Sequence, residues 1–188
     1  QGDCVCVRSF GVLPGGDRAY LFDGGGRDSY NVGKKTLLPY LLKNGIGRVD
    51  GAFVTHLHTD HYRGICQLAA EGMIEKLYVY EGNRPQLERI MQETGMKEED
   101  IVFLYGGQEV TLGTCGLLSK STIKVQVLSP ERRTQSEYAE LLEDEDNENA
   151  MSLILRIVCG REAVTGAESE TSVLVTGDIG EEGERELA

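Results

Sequence analysis

The sequence predicts a mixed α/β fold in which two β-sheets pack face to face with helices outside. Residues 35–105 alternate between helical and strand patterns, which is typical of an α/β layer built on a largely parallel sheet. From residue 108 onward the chain is instead rich in strands separated by turns. Its 188 residues show no internal repeat and no low-complexity linker, so we expect a single domain over residues 1–188.

The first half opens with a predicted hairpin, in which the apolar stretches 4–8 and 19–23 flank a Gly/Pro turn. A helix follows in "KKTLLPYLLKNGIG", where Gly45 is a plausible end. Short strands are predicted in "VDGAFVT", "KLYVY" and "DIVFLY". Helices are predicted between them in "HYRGICQLAAEG" and in "RPQLERIMQETG", the second of which opens at Pro85.

The second half contains four predicted strands, in "QEVTLG", "TIKVQVLSP", "MSLILRIVCG" and "TSVLVTGD". The acidic stretch "ERRTQSEYAELLEDEDNEN" between the second and third is interpreted as a solvated loop. The last residues, "EEGERELA", read as a helix that has just begun. We therefore expect the chain to be a fragment that lacks a first strand and a C-terminal portion.

Composition narrows the functional classes. The net charge of −12 repels nucleic-acid phosphates at long range, which disfavours a high-affinity nucleic-acid binder but does not exclude an enzyme that cuts phosphodiesters. No apolar run approaches the roughly 18 residues of a membrane span. The five cysteines form no CxxC pair and are interpreted as reduced thiols.

All three histidines of the chain lie in the hexapeptide "HLHTDH" at positions 56–61. The hexapeptide follows a predicted strand and precedes a helix, and open α/β sheets bind their ligands at such turns. His56 and His58 can face one point, whereas Asp60 and His61 can face a neighbouring point. Imidazoles combined with a carboxylate suit a catalytic site for zinc, iron or manganese. The pattern therefore indicates a metal site rather than a solvated turn.

The stretch "THLHTDH" resembles the signature of the metallo-β-lactamase superfamily, an αββα sandwich of hydrolases and some redox enzymes. This resemblance implies two divalent cations, zinc or manganese, with iron as a further option. It assigns His56 and His58 to the first cation. It assigns Asp60 and His61 to the second cation, and Asp60 would also orient the attacking hydroxide as the catalytic residue.

Two aspartates outside the hexapeptide are further candidates. Asp178 ends "SVLVTGD" and matches the superfamily position that bridges both cations, although alone it could be a helix N-cap. Asp23 in "LFDGGG" is expected to orient a ligand histidine, or else to serve only as an Asp-Gly turn residue. Many members of the superfamily have later histidine ligands, and this sequence has no histidine after His61.

Other stretches narrow the resemblance to one branch. "QGDCVCVRS", "NENAMSLILRI" and "VLVTGDIGEEGERELA" are similar to parts of the C-terminal hydrolase domain of ComEC competence proteins, which internalise DNA. The similarity implies a bacterial phosphodiesterase or nuclease whose partner is single-stranded DNA. Its parent protein would lie in the cell membrane through segments outside this chain.

Two other functions stay open. A freestanding, cytoplasmic relative could hydrolyse a small ester, lactone or thioester with the same cations, and the net charge of −12 favours this alternative. A metal-poor, inactive binding module is the alternative outside the enzymes, and the missing later histidines motivate it. Basic residues around the site would favour DNA, whereas an apolar pocket would favour small esters.

Overall fold

Two β-sheets form the centre of the fold, as the sequence predicts. The computed structural model describes residues 2–10, 16–27, 29–115, 120–134, 137, 149, 151–162 and 168–179. The first sheet has the strand order β1-β2-β3-β4-β5, with β1 antiparallel to β2 and the other neighbours parallel. Its strands are β1 (Val5–Ser9), β2 (Arg18–Phe22), β3 (Gly51–Phe53), β4 (Leu77–Tyr80) and β5 (Ile101–Leu104).

The second sheet is antiparallel throughout and follows the chain order β6-β7-β8-β9. Its strands are β6 (Glu109–Cys115), β7 (Lys120–Ser129), β8 (Ile154–Glu162) and β9 (Glu168–Val175). The predicted hairpin and all the predicted strands are therefore present, although β3 is shorter than the stretch "VDGAFVT". The predicted acidic loop falls mostly outside the described residues, and the predicted C-terminal helix falls wholly outside them.

Three α-helices connect the strands of the first sheet: α1 (Leu38–Lys43), α2 (Thr59–Ala70) and α3 (Leu87–Thr94). A π-helical turn, Gly33–Leu37, precedes α1, and α1 ends before Gly45, which has a φ of +73°. The prediction that a helix opens at Pro85 is wrong in detail. Pro85 lies inside a 3₁₀ segment, Glu81–Gln86, and the α-helix begins only at Leu87.

Two apolar layers hold these elements together. Successive side chains of a strand point to opposite faces, so β2 contributes to both layers. Leu21 packs with Leu41, Ile65 and Ile90 of the three helices, whereas Phe22 belongs to the cluster between the two sheets. The face-to-face sheets and the largely parallel first sheet thus confirm the predicted fold class. Within the described ranges, no helix is both long and apolar enough to span a membrane.

Candidate metal centre

The histidine-rich turn lies where the parallel strands of the first sheet end. Asp23 follows β2, and residues 54–58 follow β3. Helix α2 then begins at Thr59, which places Asp60 and His61 in its first turn. Because parallel strands end at the same edge of a sheet, these side chains converge at one place.

Three of the predicted ligands form a compact cluster. One ligand atom each of His56, His61 and Asp178 lies within 4.8 Å of the others. Both histidines are buried, whereas the Asp178 side chain is 47% exposed and can be reached from solvent. Asp178 follows β9, so the cluster joins the carboxyl-end edge of the first sheet to the last described strand of the second sheet.

Asp23 connects Thr55, which lies shortly after β3, to His61 in the first turn of α2. Its Oδ1 accepts the backbone N–H of Thr55, and its Oδ2 accepts the Thr55 hydroxyl, both at 2.8 Å. The same Oδ2 lies 2.8 Å from Nδ1 of His61. If Nδ1 donates its proton to Asp23, Nε2 keeps the lone pair that can bind a cation. That Nε2 lies 3.2 Å from Asp178 Oδ1.

His56 is oriented by Thr55 in the same way. The Thr55 hydroxyl donates to Asp23, so it can accept from Nδ1 of His56, which lies 3.1 Å away. Nε2 of His56 is buried and has no hydrogen-bond partner among the described atoms. A buried nitrogen without a partner costs free energy, and a bound cation would satisfy it.

Burial and nearby charges shift the pKa values of the two buried histidines, His56 and His61, in opposite directions. Burial, together with the neighbouring His61 and His58, lowers the pKa of His56 to about 4. His56 is thus a neutral imidazole at pH 7, the form that binds metals. Burial also lowers the pKa of His61, but the hydrogen bond to Asp23 and the charges of Asp23, Asp178 and Asp60 outweigh it, so this pKa is raised.

The remaining two predicted ligands lie beside the cluster. The ring of His58 is half-buried and meets the His56 ring edge-on, with 4.7 Å between centroids. Asp60 is half-buried, and its charge acts on both His56 and His61. The structure therefore gathers all five residues at one edge of the fold. The compact cluster itself contains one predicted ligand of each cation together with the predicted bridging aspartate.

Donor chemistry and geometry fit a divalent cation. Two imidazole nitrogens and a carboxylate oxygen form a set that zinc, manganese and iron accept. Nε2 of His56, which has no hydrogen-bond partner among the described atoms, is a nitrogen that a cation could bind. Asp23 adopts a φ of 55°, which is uncommon outside glycine, and such backbone strain tends to occur at functional sites.

Sequence reasoning missed three residues that build this site. Thr55 is fully buried and bonds both Asp23 and His56, and its position directly before the first histidine was a usable signal. Gly177 has a φ of +58°, and a Cβ there would lie 2.8 Å from the Thr55 hydroxyl. Ser152 is buried and packs against the same glycine, which only the pairing of distant segments reveals.

A two-sheet α/β fold with a histidine-rich turn and a converging aspartate defines a class of metal-binding hydrolases. Residues 1–152 match the family described as the metallo-beta-lactamase superfamily, and the chain belongs to that superfamily. It is accordingly a metal-dependent hydrolase by family, and the superfamily typically binds divalent metals.

One curated relative covers the whole chain. ComE operon protein 3 of Bacillus subtilis (strain 168) is 27% identical over 201 residues, an alignment that covers 100% of this chain and 22% of the relative. The chain thus spans about a fifth of that relative's length. A solved metallo-beta-lactamase of Cronobacter sakazakii, a HARLDQ-motif mutant, aligns with 88% of this chain and 54% of its own at 13% identity and a TM-score of 0.44.

Proposed function

We propose that the chain is the hydrolase part of a phosphodiesterase that degrades single-stranded DNA during DNA uptake. The match to ComE operon protein 3 along the whole chain supports this choice of substrate. It agrees with the resemblance of the sequence to the hydrolase domain of ComEC competence proteins. In this proposal the parent protein is bacterial and membrane-bound through segments outside the chain.

The ligand roles are proposed from geometry and from the superfamily pattern. His56 and His58 would hold one cation, Asp60 and His61 a second, and Asp178 would lie between them. Asp23 would not touch a cation but would fix the tautomer of His61 through the 2.8 Å contact at Nδ1. The observation that supports metal binding most directly is the buried Nε2 of His56, which no described atom bonds, beside His61 and Asp178.

The chain's own residues prepare the site for hydrolysis. Bound divalent cations would supply an activated water and stabilise the negative charge that develops on the phosphate. Asp60 is half-buried at the first turn of α2, where its carboxylate can accept a hydrogen bond from the attacking water and orient it. The partly exposed Asp178 marks the side from which a strand of DNA can approach.

Cleavage of single-stranded DNA by the wild type and by Asp60→Ala, each with Mn²⁺ or Zn²⁺, tests the proposal. We expect Asp60→Ala to lower the rate at least about a hundredfold, because it loses the group that positions the water. Asp100→Ala is a suitable control, since Asp100 pairs with Lys76 at the opposite edge of the first sheet. Equal cleavage by wild type and Asp60→Ala would contradict the proposed mechanism.

The net charge of −12 favours a second candidate, the hydrolysis of a small ester, lactone or thioester at the same site. A small neutral substrate avoids the repulsion that a DNA strand meets at an acidic surface. Turnover of such esters without DNA cleavage, lost again in Asp60→Ala, would select this alternative. Failure to bind any divalent cation would instead point to the inactive binding module.

A further inference from the structure

A polar cleft lies at the edge of the first sheet opposite the metal centre. Its volume is about 330 Å³, and Arg8 of β1, Arg18 at the start of β2 and Arg48 in the loop before β3 line it. We call it the arginine cleft. Strand β2 leads from Arg18 to Asp23 at the metal centre, and five residues of strand span roughly 16 Å. The cleft is therefore separate from the hydrolytic site.

Arg8 is held at the cleft by two hydrogen bonds from its five N–H groups. Its two terminal nitrogens donate to the Asn44 carbonyl at 2.6 Å and to Asp17 Oδ2 at 2.7 Å. Its Nε is buried and has no partner among the described atoms. A guanidinium stays protonated in a protein, so Arg8 keeps its positive charge and its remaining N–H groups as potential donors to an anion in the cleft.

Further polar groups line the cleft. Both carboxylate oxygens of Asp50 are occupied, one by Arg18 at 2.6 Å and the other by the backbone N–H of Ala19 at 2.9 Å. The backbone N–H groups of Gly47 and Arg48 make no hydrogen bond to other described residues. Two carboxylates line the cleft, Asp17 and Asp50, and both already accept hydrogen bonds from its arginines.

The ion pairs in the cleft do not close it to an anion. The side chains of Arg18 and Arg48 are 46% and 57% exposed and pair with Asp50 and Glu75. The Arg48–Glu75 pair is exposed on both sides, and such pairs contribute little to stability, so a doubly charged ligand can compete for Arg48. Asp50 is only 13% exposed, so Arg18 keeps this partner and would bind a ligand through its remaining N–H groups. Arginine binds phosphate through two parallel N–H groups, which gives three arginines in one cleft a preference for that anion.

An aromatic ring stands next to the arginines. Phe10 is 68% exposed, and the Arg8 guanidinium lies over its ring at 4.7 Å from the centroid. An exposed phenyl ring beside phosphate-binding groups is the arrangement with which proteins stack nucleic-acid bases. Because Phe10 is so exposed, it contributes little to the packed core.

We propose that the arginine cleft binds a nucleotide, with its phosphate at Arg8, Arg18 and Arg48 and its base against Phe10. The nucleotide can be free or part of a single strand, because both present the same phosphate and base. This site goes beyond the proposed hydrolase activity and needs no metal. If the strand is the ligand, the cleft would hold DNA at a distance from the cleavage site.

The test is calorimetric titration of the 188-residue chain in EDTA, which keeps divalent cations from binding at the metal centre. The ligands are inorganic phosphate, deoxyadenosine monophosphate and a single-stranded DNA decamer. We expect the mononucleotide to bind more tightly than phosphate, and Arg48→Gln to weaken its binding roughly tenfold through loss of a charged hydrogen bond. Phe10→Ala should weaken binding of the mononucleotide but leave that of phosphate unchanged.

Controls place the binding in the cleft. Lys97→Gln removes a cation that is 78% exposed elsewhere on the surface and should leave affinity unchanged. The amide resonances of Gly47 and Arg48 should shift on titration. If the decamer binds more tightly than the mononucleotide and in a salt-dependent way, the ligand is a strand. If the decamer and the mononucleotide bind with equal affinity, the ligand is a free nucleotide. Any of three results would overturn the proposal. They are no saturable binding at millimolar ligand, an affinity of Arg48→Gln equal to that of the wild type, and equal affinities for phosphate and the mononucleotide.

Discussion

Asp23 connects more of the metal centre than any single predicted ligand does. It bonds the backbone and hydroxyl of Thr55 and the ring of His61, while its own backbone adopts a φ of 55°. Thr55 in turn contacts Nδ1 of His56. The orientation of both buried histidines therefore depends on one carboxylate that is itself 1% exposed.

Asp23→Asn is expected to weaken metal binding by about 10–100-fold. An amide that keeps accepting from Thr55 turns its NH₂ group toward His61, and two donors then face each other. His61 is forced to move its proton to Nε2, which removes the lone pair meant for the cation. Titration with Zn²⁺ or Mn²⁺ against a chelating dye measures the affinity.

Asp50→Asn is the matched control for this change. Asp50 also accepts a backbone N–H and contacts a cationic side chain, but at the opposite edge of the first sheet. It should lower stability modestly and leave the affinity for metal unchanged. Unchanged metal affinity in Asp23→Asn would show that the carboxylate does not set the His61 tautomer.

Gly177→Ala is expected to destabilise the fold more than the same change at another left-handed glycine. Gly177 has a φ of +58°, and its added Cβ would meet the Thr55 side chain and the Ser152 Cβ at 2.8–3.0 Å. At Gly72, with a φ of +72°, an added Cβ would have no described atom within 4 Å. Gly72→Ala should thus cost about 1 kcal/mol for backbone strain alone.

The difference between the two alanine variants isolates the contact with Thr55. Gly177→Ala should cost at least about 1 kcal/mol more than Gly72→Ala, in line with overpacking of a buried contact. It should also weaken metal binding, since Asp178 is the next residue. Urea denaturation of both variants measures the two free energies of unfolding. Equal costs would show that the turn can move away from Thr55 freely.

Helix α2 is positioned by close backbone contact with the turn after β2. The N–H of Gly64 donates to the Gly25 carbonyl, and the N–H of Gly24 donates to the His61 carbonyl, both at 2.8 Å. A Cβ on Gly64 would lie 1.9 Å from the Gly24 carbonyl oxygen. The helix can approach the strand end this closely only because Gly64 has no side chain.

Gly64→Ala should therefore destabilise the protein by about 2–3 kcal/mol through overpacking. A glycine-to-alanine change inside a helix usually stabilises a protein by about 1 kcal/mol. The change in stability expected for Gly64→Ala therefore has the opposite sign. Gly47→Ala, at an ordinary φ and with no atom of the described residues within 4 Å of the new Cβ, should be neutral or slightly stabilising. Thermal unfolding compares the two, and a Gly64→Ala variant as stable as wild type would contradict this packing.

Local patterns in the sequence predicted the strands, the helices and the turn with its histidines. The apolar stretch of β2 and the strand-to-helix change around His56 are encoded within a few residues. Pro85 misled the prediction because proline suits the first turn of an α-helix and a 3₁₀ segment alike. The contact of Thr55 with Gly177 could not be predicted, since it depends on how two sheets from distant parts of the chain pack together.

The arginine cleft shows the same limit. Arg8, Arg18 and Arg48 are scattered in the sequence, and only the β1–β2 register and the loop before β3 bring them together. Net charge describes the molecule as a whole and does not reveal a local cluster of arginines. A chain of −12 net charge thus carries a donor-rich cleft at one end of its first sheet and a metal-ligand cluster at the other.

Metal binding should stabilise the whole molecule, because the cluster joins the first sheet to the end of β9. A ligand at about a hundred times its Kd adds about 2.7 kcal/mol to the free energy of unfolding. For a chain of this size that corresponds to a rise in Tm of about 5–10 °C. Differential scanning calorimetry with Mn²⁺ or Zn²⁺, followed by EDTA, should show the rise and its reversal.

Asp178→Asn should lose most of this rise while keeping nearly the wild-type Tm in EDTA. Its side chain is 47% exposed, so little packing is lost, but a carboxylate is removed from the cluster that it forms with the two histidines. Asp100→Asn changes an aspartate that is 33% exposed and pairs with Lys76, and it should retain the full metal-dependent rise. A full rise in Asp178→Asn would mean that the cation is held without the second sheet, and the junction between the sheets would then have no part in metal binding.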